Sequence, residues 1–201
     1  MLSLLVLLPK TSCCSSGAAE LLPDHGQLVL DLGKLEGGLR LCTRNGNTWN
    51  SAAGVHEWMR KKGLEPHIML VQETRFSSSK AEEQAHGWAS RGGLQLACSG
   101  VLRTGGAATA VSSGVGIISS GLLGSARHFR SWPGSQHRVI TRRLSIGAGT
   151  TFTLISVYLE ESVGLKGTNR QLLEDLHEWC AYLDEPFIIG GDWNVDASEM
   201  R

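Results

Sequence analysis

The sequence has no CxxC spacing, and its five cysteines, at positions 13, 14, 42, 98 and 180, make an odd count. Nothing in it reads as a zinc ribbon or a disulfide framework, and a reducing compartment is expected. It has no net charge, because nineteen Lys and Arg cancel nineteen Asp and Glu. Overall charge therefore selects no partner. No apolar run approaches the ~18–20 residues that a membrane-spanning helix needs, so no stable membrane association is expected. The opening Leu2-Ser3-Leu4-Leu5-Val6-Leu7-Leu8 is weakly signal-like, but no basic residue precedes it and Pro9-Lys10 ends it early. Residues 1–38 are read as a poorly ordered N-terminal extension, and a nuclear or cytoplasmic location is favoured.

Several familiar chemistries are missing as well. No Gly-Lys-Ser/Thr run of the Walker type occurs, and no Gly-x-Ser-x-Gly surrounds Ser112 or Ser113. Gly114-Val115-Gly116 lacks the third glycine of a dinucleotide fingerprint and has no helix after it. His56-Glu57-Trp58 and His177-Glu178-Trp179 each open like a zincin motif. Arg60 and Ala181 stand where its second histidine would be, so both are read as helix-surface pairs beside a core tryptophan.

What remains is a glycine-rich chain of 201 residues, 25 of them Gly, sized for one domain. Its charge is uneven: residues 40–143 carry fourteen basic and five acidic groups, a net of +9, and residues 144–201 carry three and ten, a net of −7. A basic face beside an acidic cation site fits that split, as does ordinary clustering of surface charge. From Leu39 the periodicity sharpens. Leu39–Thr43 alternates as a strand, 51–62 reads as a helix with Ala52, Val55 and Met59 on one face, and Gly63 stops it. Ile68-Met69-Leu70-Val71 reads as a strand buried on both sides. A helix near 80–90 and strands near 94–98, 114–119, 137–146 and 151–159 follow. Thr168-Asn169-Arg170-Gln171 fits a capping box, ahead of the stripe Leu172, Leu176, Trp179 and Leu183. Phe187-Ile188-Ile189 is a last buried strand. The order is mixed α/β, with polar residues arriving at the ends of buried strands.

Three strand ends carry the chemistry: Asn45 with Asn47, Glu73, and Asp192 with Asn194. A hard cation such as Mg²⁺ takes carboxylate oxygens and keeps waters, and Glu73 and Asp192 offer two carboxylates. Asparagines beside such an ion donate amide hydrogens to a phosphate without adding negative charge.

These residues resemble the endonuclease/exonuclease/phosphatase superfamily, the metal-dependent phosphodiesterases that include abasic-site endonucleases, DNase I and the endonuclease domains of LINE-type retrotransposons. The family's strand ending in Asn, helix, and strand ending in Gln-Glu-Thr is similar to Leu41–Asn45 followed by Val71-Gln72-Glu73-Thr74-Arg75. Its Gly-Asp-x-Asn motif stands as Ile188-Ile189-Gly190-Gly191-Asp192-Trp193-Asn194. Between them, Gly114–Ile118 and Ile155–Leu159 are similar to two further family strands, with Leu159-Glu160 in place of the usual proline. The resemblance covers 39–199. It implies a four-layer α/β-sandwich, here incomplete at the C-terminus, over 39–201.

The resemblance also implies roles. Glu73 would ligate Mg²⁺, with Mn²⁺ as the alternative ion, and Asn45 would steady that site or the phosphate. Tyr158 would donate its hydroxyl to the scissile phosphate, Asp192 would position or deprotonate the attacking water, and Asn194 would hold a phosphate oxygen. Asn47 falls where many relatives carry Asp. His137 and Arg138, in the basic middle, are read either as backbone-phosphate contacts or as a solvated face, and Arg138 is carried forward as a phosphate contact. The family's later Asp and its Ser-Asp-His motif have no counterpart in the seven residues after Asn194. The expected function is a divalent-metal-dependent phosphodiesterase, a DNA endonuclease domain of retroelement or repair type, weakly active or inactive as it stands. The alternatives are a non-catalytic remnant that binds nucleic acid, and a phosphatase of the same fold acting on a small phosphorylated substrate.

Overall fold

A computed structural model of the chain describes residues 39–99, 114–125, 131–146 and 150–195 in full, and the backbone of residues 5–8, 19–22 and 27–30. Strand β4 (Leu39–Asn45) is followed by helix α1 (Trp49–Lys61), strand β5 (Ile68–Gln72), helix α2 (Ser79–Arg91) and strands β6 (Leu94–Cys98) and β7 (Val115–Ser120). Then come β8 (Gly124–Ser125), β9 (Val139–Ile146), β10 (Thr150–Tyr158), helix α3 (Gly167–Ala181) and β11 (Phe187–Asp192). Earlier in the chain, β1 (Leu5–Leu8) pairs with β11, and β2 (Ala19–Leu22) and β3 (Gln27–Leu30) extend the sheet from β4. The stretch read from sequence as a poorly ordered extension thus holds three four-residue strands. Ser112, Ser113, Cys13 and Cys14 lie outside the described residues.

The strands form two sheets, ordered β1-β11-β10-β9-β8 and β2-β3-β4-β5-β7-β6. Their side chains sort by the period-two rule. In β4 and β5, Leu41, Ile68 and Leu70 face the other sheet, where they meet Leu144, Leu154 and Ile188. Cys42, Met69 and Val71 point the opposite way and pack with Trp49, Ala52 and Met59 of α1 and Ala85 and Ala89 of α2. On the far side, Ile155, Val157 and Ile189 pack against Leu172, Leu176 and Trp179 of α3. Three apolar layers between four layers of elements make an α/β-sandwich. Full burial of each aliphatic chain contributes about 1.5–3 kcal/mol, which explains why β5 reads as an unbroken apolar run.

Helix ends follow local chemistry. Thr48 caps α1 by accepting from the Ser51 N–H at 3.3 Å, and Gly63 turns the chain away at φ 71°. Ser78 caps α2 in the same way, from Ala81 N–H at 3.2 Å. The capping box expected at Thr168 does not form. The helix begins at Gly167, Lys166 holds the cap position without a side-chain bond, and the Thr168 hydroxyl donates to Glu160 instead, at 3.0 Å. The two His-Glu-Trp runs also diverge. In α3, His177 is exposed and Trp179 buried, as the stripe requires. In α1 the roles reverse: His56 is buried and Trp58 is half exposed, because the inward face runs through Ala52, His56 and Met59 at i, i+4 and i+7. His56 packs edge-on against Trp88 of α2, with ring centroids 5.5 Å apart.

Candidate active site

Two strand pairs in this otherwise mostly antiparallel structure are parallel: β4 with β5, and β10 with β11. Their registers place Asn45 beside Gln72 and Tyr158 beside Asp192. Because the two sheets pack face to face, these carboxyl ends converge on one edge. Ligand sites of α/β folds favour the carboxyl ends of parallel strands. The backbone at this edge is unusual. Asn47, Glu73, Arg75 and Asn194 all have positive φ, at 54°, 57°, 45° and 45°. Left-handed conformations in non-glycine residues cost on the order of 1 kcal/mol or more each and gather at sites that over-determine them.

Asn45 joins the two sheets. Its side-chain N–H₂ donates to Glu73 Oε1 at 3.2 Å and, at short range, to Asp192 Oδ2. Its own Oδ1 accepts the backbone N–H of Asn47 at 3.0 Å, which fixes the amide orientation. The Glu73 carboxylate also pairs with the Arg75 guanidinium through Oε2, and its charge lies near enough to the Tyr158 hydroxyl to hold that hydroxyl protonated. Asp192 Oδ1 accepts the backbone N–H of Asn194 at 3.3 Å, and Asn194 gives one side-chain N–H to the Leu159 carbonyl at 2.6 Å. A primary amide has two such hydrogens. Below this cluster, Gln72 lies wholly buried between the sheets. It donates to Ser156 Oγ at 3.0 Å and accepts from the Thr43 hydroxyl at 3.3 Å, while Ser156 donates on to the Val71 carbonyl at 3.2 Å.

The electrostatics follow from burial. Glu73 and Asp192 are only 5% and 4% exposed. Asp192 is held above the usual carboxylate range, first by desolvation and further by the negative charge of Glu73, against the hydrogen bonds from Asn45 and Asn194. The Tyr158 hydroxyl is pushed up to about 12 by burial, then by Glu73, so at neutral pH it is a donor. Two buried carboxylates flanked by amides and a phenol are an all-oxygen donor set of the kind hard divalent cations take. Glu73 and Asp192, already brought to one amide, fit such an ion.

Of the residues expected from sequence, Asn45, Glu73, Tyr158, Asp192 and Asn194 meet here. Asn47 contributes its backbone, with its side chain exposed. Arg138, expected as a phosphate contact, uses three of its five guanidinium N–H groups within the protein. They go to the Tyr158 carbonyl at 3.3 Å, to Glu160 at 3.3 Å and to Asn169, because burial favours pairing N–H groups within the protein. Sequence reasoning passed over Asn169, which is fully buried and also binds the Glu160 N–H and carbonyl and the Gly164 carbonyl. It passed over Gln72 and Ser156 too. A glutamine closing an apolar strand was the available signal. Away from the edge, Glu82, His86 and Cys98 form a further cluster whose only sequence mark was an acid and a histidine four apart on a helix.

A family model, "Endonuclease/Exonuclease/phosphatase family", matches residues 47–201. The chain belongs to this family. The match takes in Glu73, Tyr158, Asp192 and Asn194 and begins two residues after Asn45. No curated protein sequence matches the chain. Among solved structures, an AP endonuclease from Archaeoglobus fulgidus is similar at 22% identity and a TM-score of 0.53, covering 77% of this chain and 57% of its own. A 3′ phosphatase from Neisseria, NExo, bound to a product DNA hairpin, is similar at 19% identity and the same TM-score, covering 77% and 57%. The human Nocturnin catalytic domain with bound sulfate is similar at 14% identity and a TM-score of 0.56, covering 79% and 64%. These likenesses show the DNase I-like fold. The chain spans a little over half the length of the first two relatives. Members of the family are hydrolases of the nuclease, phosphodiesterase and phosphatase kinds and are generally divalent-metal dependent.

Proposed function

We propose that this chain is a divalent-metal-dependent phosphodiesterase domain that acts on nucleic acid, with DNA as the substrate. The observation that carries the reading is the Asn45 amide bonded to both Glu73 and Asp192 across two sheets, at the carboxyl ends of parallel strands. Glu73 would ligate Mg²⁺ or Mn²⁺, which supplies charge stabilisation at the phosphate when bound, and the Asn45 amide, whose N–H₂ faces the carboxylates, would steady that site. Asp192, raised by burial and by Glu73, is suited to take a proton from an attacking water, since a base works best as its pKa approaches the working pH. Tyr158 stays protonated and can donate to a phosphate oxygen. Asn194 gives one amide hydrogen to Leu159 and has no further bond from its amide among the described residues, so its second hydrogen would serve the same purpose. Arg138 and Asn169 act as positioning residues that brace the end of β10 behind Tyr158. The net charge of +9 over residues 40–143 supports a polyanionic partner. The likeness of the two motifs to those of abasic-site and LINE-type endonucleases supports a repair or retroelement setting.

The 201 residues contain no Ser-Asp-His run. In the family's chemistry that histidine takes part in the displacement, and losing one such group costs about 10²–10⁴-fold. Plasmid nicking in Mg²⁺ by this chain alone should therefore sit near an Asp192→Ala control. Binding is the better test of the substrate. Affinity for a short DNA duplex should fall steeply and log-linearly with added salt. Salt-insensitive binding, or no binding at low ionic strength, would contradict the nucleic-acid reading.

A further inference from the structure

Glu82 and His86 sit one helical turn apart in α2, so both project from the same face. That face lies over β6, the edge strand of its sheet, where Cys98 is the last residue. Cys98 Sγ is 3.8 Å from Glu82 Oε1 and 3.6 Å from His86 Nε2, and the three ligand atoms lie within 4.8 Å of one another. We propose that Glu82, His86 and Cys98 form a second metal site, apart from the strand-end cluster, that takes a borderline-soft dication of the zinc class.

The spacing is that of a four-coordinate ion. With Zn–S near 2.3 Å, Zn–N near 2.05 Å and Zn–O near 2.1 Å, tetrahedral angles put sulfur about 3.6 Å from both the nitrogen and the oxygen. The two observed sulfur distances already match those edges. The Glu82–His86 edge would be about 3.4 Å in the same geometry, and both side chains are long and reach solvent, so they can close onto the ion. Three protein ligands leave a fourth position for water, on the side where His86 is exposed.

Ligand chemistry selects the ion. Thiolate and imidazole favour zinc over magnesium or calcium, which prefer oxygen. The strand-end cluster is all oxygen and nitrogen-free in its charged donors, so the two sites would draw different metals. Cys98 pairs with Gly116 of β7, and β7 pairs with β5, so Cys98 lies two strands, roughly 10 Å, from β5. On binding, the Cys98 S–H bond breaks, the sulfur's electron pair goes to the metal and one proton leaves to solvent. The ion would clip α2 to β6, the last strand of the sheet among the described residues.

Co²⁺ is the probe, added to the full chain under reducing conditions. One equivalent should produce a thiolate-to-cobalt charge-transfer band together with the intense ligand-field bands of a four-coordinate ion. Zn²⁺ should displace it and excess Mg²⁺ should not. Cys98→Ser and His86→Ala should each abolish the band, while Cys180→Ser and Glu73→Gln keep it. Zn²⁺ should raise Tm in the wild type and not in His86→Ala. His86 is exposed, so its variant decides the matter even where Cys98→Ser disturbs folding. A wild-type chain without the band, or a band that survives His86→Ala, would overturn the proposal.

Discussion

Replacing Gln72 by Leu should loosen the two sheets directly beneath the candidate site. The substitution puts an apolar side chain of similar reach in place of the amide and removes one acceptor and one donor in use at a fully buried position. The Thr43 hydroxyl loses the carbonyl it donates to at 3.3 Å. Ser156 loses an incoming bond at 3.0 Å but keeps its own donation to the Val71 carbonyl. One stranded buried donor costs about 1–3 kcal/mol. In a domain of this size each kcal/mol moves Tm by about 2–4 °C, so a fall of roughly 2–12 °C is expected. Ser156→Ala should cost a similar amount, and the pair should be non-additive, because both changes break the same link. A double-mutant cycle by urea unfolding measures this, with a coupling of about 0.5–3 kcal/mol expected. Additivity, or a Gln72→Leu chain as stable as the wild type, would refute the view that this link ties β5 to β10.

His56 is buried, neither ring nitrogen has a hydrogen-bond partner among the described residues, and burial first of all holds its pKa below 6.5, with Arg60 adding and Glu65 and Glu57 opposing. A lowered folded-state pKa means the unfolded chain binds the proton more readily, so stability is full above about pH 6.5 and is lost as pH falls below it. Wild type should lose stability relative to His56→Leu between pH 7.5 and 5, and parallel curves would contradict this. Gly191→Ala should destabilise by about 1–3 kcal/mol or more, because the added Cβ would lie 2.1 Å from the Val157 carbonyl oxygen on the adjoining parallel strand. An unchanged urea midpoint would show that β10 and β11 can part more easily than their packing implies.

Much of the fold was readable because burial writes itself into short periods. The apolar run 68–71, the stripe from Leu172 to Leu183 and the strand at 187–189 became β5, α3 and β11 with small shifts at their ends. The strand-end residues were readable for the same reason, since a polar group that follows four buried aliphatics has few reasons to be there. Pairing across space was not readable. Arg138 stood in a basic stretch and looked available, yet its partners Glu160 and Asn169 lie 22 and 31 residues away. His56 and Trp58 could not be ranked by type, because helix phase puts the histidine inside. The strands at 19–22 and 27–30 were hidden in a segment whose apolar runs are too short to carry a period. The Glu82–His86–Cys98 cluster needs a helix and a strand to meet before it exists.

Glu73 as a ligand to a divalent cation at the strand-end edge is what the proposed function turns on. The most direct measurement is the melting temperature of the chain titrated with Mg²⁺, beside Glu73→Gln. Ligand that binds only the folded state raises stability by RT ln(1 + [L]/Kd), so the wild type should show a saturable rise and the variant none. An equal rise in both proteins would place the ion elsewhere and contradict the assignment.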